Sequence, residues 1–261
     1  MNGLRKQFVL LHGFTGSPES WEPVAAQLKA NGAQVLCPTL VGHDRESGLS
    51  YSANDGEDNG FATEVDRLAA LVTQQQFAGA HLAGYSLGGR VACVLLSRHP
   101  QLFSQATLIG CHPGLDAPRQ RAERKQADQH WQDLLLNEGL DAFVDKWESL
   151  PLFNSQSRLS EIQLKNQRAA RLRCDPKGLA FSLGVTGLGV MPSTTSALEA
   201  LEMPIHLVSG KLDSKFTGLL STLLSRLKHA RHSVLPDIGH NPVLEAPDRI
   251  TACLLSEPDE P

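Results

Sequence analysis

Short apolar segments alternate with amphipathic segments over the first 110 residues, and this alternation restricts the fold more than any other feature of the chain. Apolar runs of this length are typical of buried strands, and the segments between them carry apolar residues at helical spacing. The predicted strands are 8–11, 34–37, 81–84 and 106–110, and the predicted helices are 21–30, 61–76 and 88–98. This order indicates a parallel sheet with helices on both faces.

The alternation stops at about residue 115 and resumes at residue 205. Between these points the pattern predicts helices and no strand, and seven arginines are concentrated there. Two further predicted strands, 205–208 and 232–235, flank a predicted helix at 215–228. We therefore predict the α/β class, with a mostly parallel sheet in a core formed by residues 1–114 and 202–261 and a helical lid inserted at residues 115–201.

The composition is that of an ordinary globular protein without a dominant charge. The chain has 261 residues, a formal net charge of −4 and 20% charged residues. This composition does not indicate a surface that binds nucleic acid or a membrane. The N-terminal segment lacks the pattern of a signal peptide, and no apolar stretch approaches the length of a membrane span. We expect a monomer or a small homo-oligomer, with no nucleic-acid, membrane or protein partner.

Five cysteines are scattered along the chain and form no CxxC pair. An odd number of widely spaced cysteines argues against a disulfide framework and against a zinc site. We expect reduced thiols in a cytoplasmic protein that holds no metal ion. The cysteines are Cys37, Cys93, Cys111, Cys174 and Cys253.

The pentapeptide Gly84-Tyr85-Ser86-Leu87-Gly88 stands between a predicted strand and a predicted helix. A sharp strand-to-helix turn at a G-x-S-x-G sequence holds the serine in a strained backbone and exposes its hydroxyl above the sheet. The glycines leave room for neighbouring backbone, and the helix N-terminus favours developing negative charge. Ser86 is therefore predicted to be a nucleophile or a base, since an ordinary serine in a tight turn gives no reason for this spacing.

A reactive serine requires a base and an acidic residue that orients the base, in the chain order serine, acid, histidine for this kind of turn. Asp213 and His240 each follow a predicted strand, at the edge where open α/β sheets bind ligands. We predict that His240 takes the proton from Ser86 and that Asp213 holds the imidazole tautomer. Asp237 is the competing acid, but it lies three residues before His240 and fits a turn.

The segment His12-Gly13-Phe14 follows the first predicted strand, where a fold of this type forms half of an oxyanion hole. The backbone N–H groups of Phe14 and Leu87 are predicted to converge on one substrate oxygen. One such donor contributes about 2.7–4 kcal/mol to transition-state stabilisation. His12 itself is expected to shape this loop through hydrogen bonds rather than to move protons.

These motifs resemble the α/β-hydrolase superfamily over nearly the whole chain. They are His12-Gly13-Phe14, the segment from Gly84 to Arg90, and Gly239-His240-Asn241-Pro242. Within the superfamily, the chain resembles the 2-succinyl-6-hydroxy-2,4-cyclohexadiene-1-carboxylate synthases of menaquinone biosynthesis. The residues that carry this narrower resemblance are Tyr85-Ser86, Gly88-Gly89-Arg90, His112-Pro113-Gly114-Leu115 and, in the lid, Arg124, Trp147, Pro151-Leu152-Phe153 and Arg168.

The resemblance implies an enzyme that eliminates pyruvate from an enolpyruvyl cyclohexene bearing several carboxylates, with neither a metal nor an organic cofactor. Ser86, activated by His240, then acts as a base that removes a ring proton, and the oxyanion hole stabilises charge on the succinyl carbonyl oxygen. An anionic substrate requires fixed cations, and guanidinium groups bind carboxylates through two parallel hydrogen bonds. The implied substrate-binding residues are Tyr85, Arg90, Arg124, Trp147, Phe153 and Arg168.

Two alternatives remain open from the residues alone. A serine hydrolase, such as a carboxylesterase, a thioesterase or a carbon–carbon bond hydrolase, would use Ser86 as a nucleophile and form an acyl-enzyme. A hydrolase-fold binding protein would have no need for all three of Ser86, Asp213 and His240. The chain also departs from the superfamily at one point: Val41-Gly42-His43-Asp44 replaces its common Pro-Gly-His-Gly, and the long acidic loop 41–60 begins there.

Overall fold

The computed structural model describes residues 5–43 and 60–257, and a six-stranded sheet forms its centre. The strands are β1 (Gln7–Leu11), β2 (Gln34–Leu36), β3 (Ala80–Tyr85), β4 (Phe103–Ile109), β5 (Ile205–Gly210) and β6 (Ala230–Leu235). They lie in the order β2-β1-β3-β4-β5-β6, and every neighbouring pair is parallel. The predicted α/β class and parallel sheet are confirmed, and no predicted strand extends more than one residue beyond the observed one.

Eleven α-helices and three 3₁₀ helices connect these strands in the described chain. The α-helices are α1 (Glu22–Ala30), α2 (Gly60–Gln74), α3 (Leu87–Arg98), α4 (Pro118–Asn137), α5 (Gly139–Glu148), α6 (Glu161–Arg171), α7 (Pro176–Thr186), α8 (Thr195–Glu199), α9 (Ser214–Leu224), α10 (Pro242–Glu245) and α11 (Pro247–Leu255). The 3₁₀ helices are Pro18–Trp21, Pro100–Leu102 and Pro151–Arg158. None of the described helices has the length and apolarity that a membrane crossing requires.

Side chains on alternate positions of β1 pack into two different apolar clusters. Phe8 and Leu10 lie in a cluster with α1 and α11, whereas Val9 and Leu11 lie in a second cluster with α2 and α3. All four side chains are at most 1% exposed. Because successive strand residues point to opposite faces, a strand covered on both faces must be apolar at every position. This is why the segment is a continuous apolar run.

Helices α4 to α8 and the 3₁₀ helix Pro151–Arg158 lie between β4 and β5, and no described residue of this stretch forms a strand. We call residues 115–201 the helical insertion. It has an apolar cluster of its own, to which Phe143 contributes. Its contacts with the core include a hydrogen bond from the Arg90 guanidinium to the Thr186 carbonyl oxygen at 2.8 Å and the approach of the Phe14 and Trp147 rings to 5.4 Å.

The segment before the acidic loop is held by a buried carboxylate of α2. The Oε1 atom of Glu64 accepts a hydrogen bond from the backbone N–H of Val41 at 3.0 Å. Arg67 pairs with the same carboxylate at 2.7 Å and donates to the carbonyl oxygen of Thr39. The chain is thereby fixed up to His43. The acidic residues of the predicted loop lie outside the described residues; they are Asp44, Glu46, Asp55, Glu57 and Asp58.

The turn from β3 to α3 brings three backbone segments very close together. A Cβ atom on Gly84 would lie 2.3 Å from the carbonyl oxygen of Gly88, and one on Gly88 would lie 2.2 Å from that of Leu11. Only glycine permits these approaches. Ser86, between the two glycines, has φ 51° and ψ −106°, which a residue with a side chain rarely adopts. The packing on both sides holds Ser86 in this strained backbone conformation.

We predict that Gly88→Ala destabilises the protein, because the added methyl group meets backbone atoms of β1 that cannot rotate away. Overpacking of this kind costs about 1–3 kcal/mol of the free energy of unfolding. Gly218→Ala is the matched control, since this exposed position in α9 has open space around a Cβ atom. Alanine there should stabilise the helix by about 0.5–1 kcal/mol. Urea unfolding measures both, and equal stabilities in the two variants would contradict the close approach.

Candidate active site

Three predicted site residues meet at the carboxyl ends of three different strands. Ser86 follows β3, Asp213 stands between β5 and α9, and His240 follows β6. The Nε2 atom of His240 lies 3.2 Å from the Oγ atom of Ser86, and its Nδ1 atom lies 2.7 Å from the Oδ2 atom of Asp213. Because a carboxylate only accepts, Nδ1 carries the ring proton and Nε2 accepts from the Ser86 hydroxyl. The arrangement can therefore move a proton between Ser86 and His240.

The histidine and its acidic partner are held by their surroundings. Asp213 caps α9, and its Oδ1 atom accepts from the backbone N–H of Phe216 at 3.3 Å. The His240 ring has the rings of Phe216, Tyr85 and Phe153 around it, at centroid distances of 4.6, 5.6 and 6.3 Å. Burial raises the pKa of Tyr85, so its phenol stays neutral. These contacts restrict the rotation of the imidazole.

Asp237, the competing acid, does not reach the histidine ring. It is exposed and has φ 63°, as a turn residue does. Its carbonyl oxygen accepts a hydrogen bond from Arg158 at 3.4 Å. Asp213, in contrast, is 7% exposed and bonded to His240. The structure therefore pairs His240 with Asp213.

Two backbone N–H groups, of which one follows Ser86 directly, have no acceptor within the described chain. One belongs to Leu87, the first residue of α3, where a helix leaves its amide groups unpaired. The other belongs to Phe14, in the loop after β1, which lines the same cavity as Ser86. Unpaired amide groups at a helix N-terminus and a neighbouring loop are the donors that an oxyanion requires.

Two buried histidines fix the loop that carries Phe14. The Nε2 atom of His12 accepts from the backbone N–H of Leu40 at 3.1 Å, and its Nδ1 atom donates to the carbonyl oxygen of Gly13 at 2.9 Å. His43 repeats this pattern: its Nε2 atom accepts from the N–H of Thr15 at 3.2 Å. Burial lowers the pKa of His12 to about 4 and that of His43 to about 3. Both rings are neutral near pH 7 and serve as hydrogen-bonding links between the two loops.

A cavity of about 1130 Å³ opens above Ser86, between the core and the helical insertion. Five of the six residues expected to bind substrate line it, together with Ser86, Asp213 and His240. The five are Tyr85, Arg90, Arg124, Trp147 and Phe153. Across the described chain, no cluster of three or more His, Cys, Asp or Glu residues could hold a metal ion.

Trp147 is the centre of an aromatic cluster that forms one wall of this cavity. Its ring lies 5.3 Å from Trp131, 5.5 Å from Phe143 and 5.9 Å from Phe153 within the insertion. It also lies 5.4 Å from Phe14 of the core. The cluster therefore connects the insertion directly to the loop that carries one of the two unpaired N–H groups.

Two arginines of the cavity wall come from different parts of the fold. Arg90 lies on α3, one turn after Ser86, and donates to the Thr186 carbonyl oxygen. Burial, and secondarily the neighbouring Arg124, lower the pKa of Arg90 to about 10, so the group remains charged near pH 7. Arg124 lies on α4 and pairs with Asp128 at 2.9 Å. Each arginine thus uses some of its guanidinium N–H donors in hydrogen bonds within the protein.

Arg168 does not lie with the other expected binding residues. Its guanidinium pairs with Glu148 at 2.9 Å and with Asp145 at 2.6 Å, and it lines a separate groove outside the main cavity. The structure thus places Arg168 in this groove and not in the cavity above Ser86. Both ion pairs join α5 to α6, so the residue fastens two helices of the insertion.

Arg171 occupies the cavity wall in its place. It is 5% exposed, its guanidinium carbon lies 5.4 Å from the ring centroid of Phe153, and its Nη1 atom bonds to Glu148 at 2.8 Å. Arg168 and Arg171 are three residues apart on α6, so their side chains share one helix face. Helical periodicity alone therefore could not distinguish them, and this is why sequence reasoning missed Arg171.

Comparison with known proteins agrees with this geometry. Residues 8–252 match the alpha/beta hydrolase family. The 2-succinyl-6-hydroxy-2,4-cyclohexadiene-1-carboxylate synthase of Enterobacter sp. (strain 638) is 31% identical, over 94% of this chain and 89% of that enzyme. A Bacillus subtilis (strain 168) protein, provisionally given the same name, is 34% identical over 95% of this chain and 88% of its own length.

A solved structure has the same fold over nearly its whole length. MenH from S. aureus superimposes with a TM-score of 0.88, covers 97% of this chain and 94% of its own, and is 25% identical. The family match extends over most of the chain, and the two relatives exceed 30% identity over most of their own length. The resemblance predicted from the motifs is confirmed, and the chain belongs to the 2-succinyl-6-hydroxy-2,4-cyclohexadiene-1-carboxylate synthase family of alpha/beta hydrolases.

Proposed function

We propose that this protein eliminates pyruvate from an enolpyruvyl cyclohexene carboxylate to give 2-succinyl-6-hydroxy-2,4-cyclohexadiene-1-carboxylate, a step of menaquinone biosynthesis. The relatives carry the name of this product. The observation that carries the proposal is the cavity itself: it is lined by Ser86, His240 and the guanidinium-bearing side chains of four arginines, three of them at least partly buried. Those of Arg90, Arg124 and Arg171 provide positive charge for a substrate with several carboxylates.

Ser86 acts as the base in this proposal. His240 accepts the hydroxyl proton, as its hydrogen bond to Oγ allows, and the serine oxygen removes a ring proton next to the succinyl carbonyl. The electrons move to the carbonyl oxygen and then return to break the bond between the ring and the enolpyruvyl oxygen. The enolate that leaves takes up the proton held by the imidazolium and becomes pyruvate. Asp213 stabilises the imidazolium that forms between these two steps. No bond between Ser86 and carbon is required.

The carbonyl oxygen carries negative charge at the intermediate stage. The unpaired N–H groups of Phe14 and Leu87 are the donors proposed to stabilise it, and the N-terminus of α3 adds a favourable field. Trp147 and Phe153 form apolar walls that exclude water. With less water present, each of these hydrogen bonds is electrostatically stronger.

A serine hydrolase is the second candidate, and the turn at Ser86 is the observation that favours it. A strained serine above a sheet, bonded to a histidine and beside two unpaired N–H groups, is equally suited to attack a carbonyl carbon. The arginines distinguish the two candidates, because an uncharged ester gains nothing from these three cations, and burying the Arg171 guanidinium has a cost.

We also infer a cytoplasmic location. All five cysteines are free thiols, as expected in a reducing compartment. Two of them, Cys93 and Cys111, are buried beside one another in the core near Arg90. We expect titration of the purified protein, after unfolding under an inert atmosphere, to find both as thiols; a disulfide between them would count against this inference.

Purified protein should release pyruvate from the enolpyruvyl cyclohexene substrate, followed with a coupled dehydrogenase. Ser86→Ala should lower kcat by about 10²–10⁴-fold, the usual contribution of a positioned acid or base. Ser214→Ala removes another hydroxyl from the same cavity and should leave kcat unchanged. Absence of pyruvate release, together with hydrolysis of simple esters or thioesters, would move the assignment to a serine hydrolase.

Arg171→Ala should raise KM for the substrate by about 10–100-fold, because a hydrogen bond to a charged group contributes about 1.5–3 kcal/mol. The effect on kcat should be smaller, since binding of a distant carboxylate acts on ground state and transition state alike. Arg168→Ala, one turn away on α6 and paired to the same glutamate, is the control. An equal rise of KM in both variants would show that Arg171 only helps to hold α5 against α6.

A further inference from the structure

His112 lines the cavity, and neither the proton transfer nor the carboxylate binding described above uses it. It lies just beyond β4, in the segment that leads from the sheet into the helical insertion. Its side chain is partly buried, and Arg90 and Arg124 line the same cavity. His112 therefore borders the part of the cavity that an anionic substrate would occupy.

The hydrogen bonding of His112 fixes which ring nitrogen carries the proton. The backbone N–H of Gly114 donates to the Nδ1 atom of His112 at 3.1 Å. An acceptor nitrogen of a neutral imidazole holds no hydrogen, so the proton is on Nε2, which is then a donor only. Within the described chain Nε2 has no hydrogen-bond partner. The same contact sets the ring plane, so the direction of the Nε2–H bond is also fixed.

The charges around His112 keep this ring neutral. Burial, followed by the positive charges of Arg90, Lys215 and Arg124, lowers the pKa of His112 to about 4. At neutral pH the ring therefore presents a hydrogen-bond donor without adding to the positive charge of the cavity. Such a donor suits a carbonyl oxygen, or the second oxygen of a carboxylate already paired with an arginine.

We propose that His112 is a further substrate-binding residue, whose Nε2–H donates to a carboxylate or carbonyl oxygen of the bound substrate beside Arg90 and Arg124. The proposal rests on the proposed function only for the anionic class of the ligand. It assigns to the turn after β4 a part in orienting the substrate. The alternative is a purely structural role, in which His112 only anchors this turn through Gly114.

Two substitutions separate the roles of the two ring nitrogens. In His112→Asn, the side-chain oxygen can take the position of Nδ1 and keep the bond from Gly114, but nothing reaches the position of Nε2. In His112→Gln, the longer side chain can place an N–H group near the position of Nε2, while the acceptor for Gly114 is lost. Each variant therefore keeps one function of the ring and removes the other.

The binding measurement uses succinate as the probe and follows the intrinsic tryptophan fluorescence, since Trp21, Trp131 and Trp147 all line the cavity. The expected result is a dissociation constant raised about 10-fold or more in His112→Asn, and within about 3-fold of the wild type in His112→Gln, because one charge-assisted hydrogen bond is at stake. KM for the cyclohexene substrate should change in the same order, with kcat less affected. Circular dichroism and thermal unfolding confirm that both variants fold.

The opposite order, with binding lost in His112→Gln and kept in His112→Asn, would assign His112 to the turn and overturn the proposal. Equal loss in both variants, unchanged binding in both, or no binding of succinate by the wild type would overturn it as well. Failure of the proposed function has a different signature, since it appears as absence of pyruvate release from the wild type. The proposed role of His112 and the proposed function can therefore be refuted independently of each other.

Discussion

The close approach of β1, β3 and α3 is the constraint on which the rest of the site depends. Glycines at 84 and 88 let the backbone of α3 lie against the end of β1, and Ser86 takes a positive φ between them. Such a conformation costs about 1–3 kcal/mol and persists only where the surrounding packing determines it. The same turn leaves the N–H of Leu87 unpaired beside the serine oxygen. The strained backbone of Ser86, the exposure of its hydroxyl and the unpaired N–H of Leu87 therefore all result from this one turn.

The core and the insertion contribute different chemistry to the cavity. The core supplies Ser86, Asp213 and His240 at the ends of its strands, whereas the insertion supplies Arg124 and Arg171. A buried guanidinium group such as that of Arg171 is costly unless paired, and Arg171 and Arg124 each bond to a carboxylate of the insertion. Both residues also line the cavity, where the carboxylates of the proposed substrate can offset the rest of that cost. Contact between Phe14 and Trp147 joins the two parts, so the position of the insertion is coupled to one unpaired N–H group.

Those parts of the site that depend on local pattern could be predicted from the sequence. Strand and helix periodicity gave the α/β class, and strand-end positions brought Ser86, Asp213 and His240 together because parallel strands end at one edge. Which of two residues on one helix face lines the cavity could not be predicted. Arg168 and Arg171 share a face of α6, and only the packing of α6 on α5 decides which of them reaches the cavity. Likewise, the hydrogen bond that fixes the His112 tautomer depends on the geometry of a turn that periodicity does not describe.

We propose that Ser86 works as a base and forms no bond to carbon. The most direct test is rapid quenching of the wild-type enzyme during turnover of the enolpyruvyl cyclohexene substrate, followed by intact-mass and peptide mass spectrometry of the segment that contains Ser86. We predict that the protein keeps its unmodified mass while pyruvate accumulates. A mass increase on Ser86 that forms and decays at the rate of pyruvate release would contradict it and establish covalent catalysis.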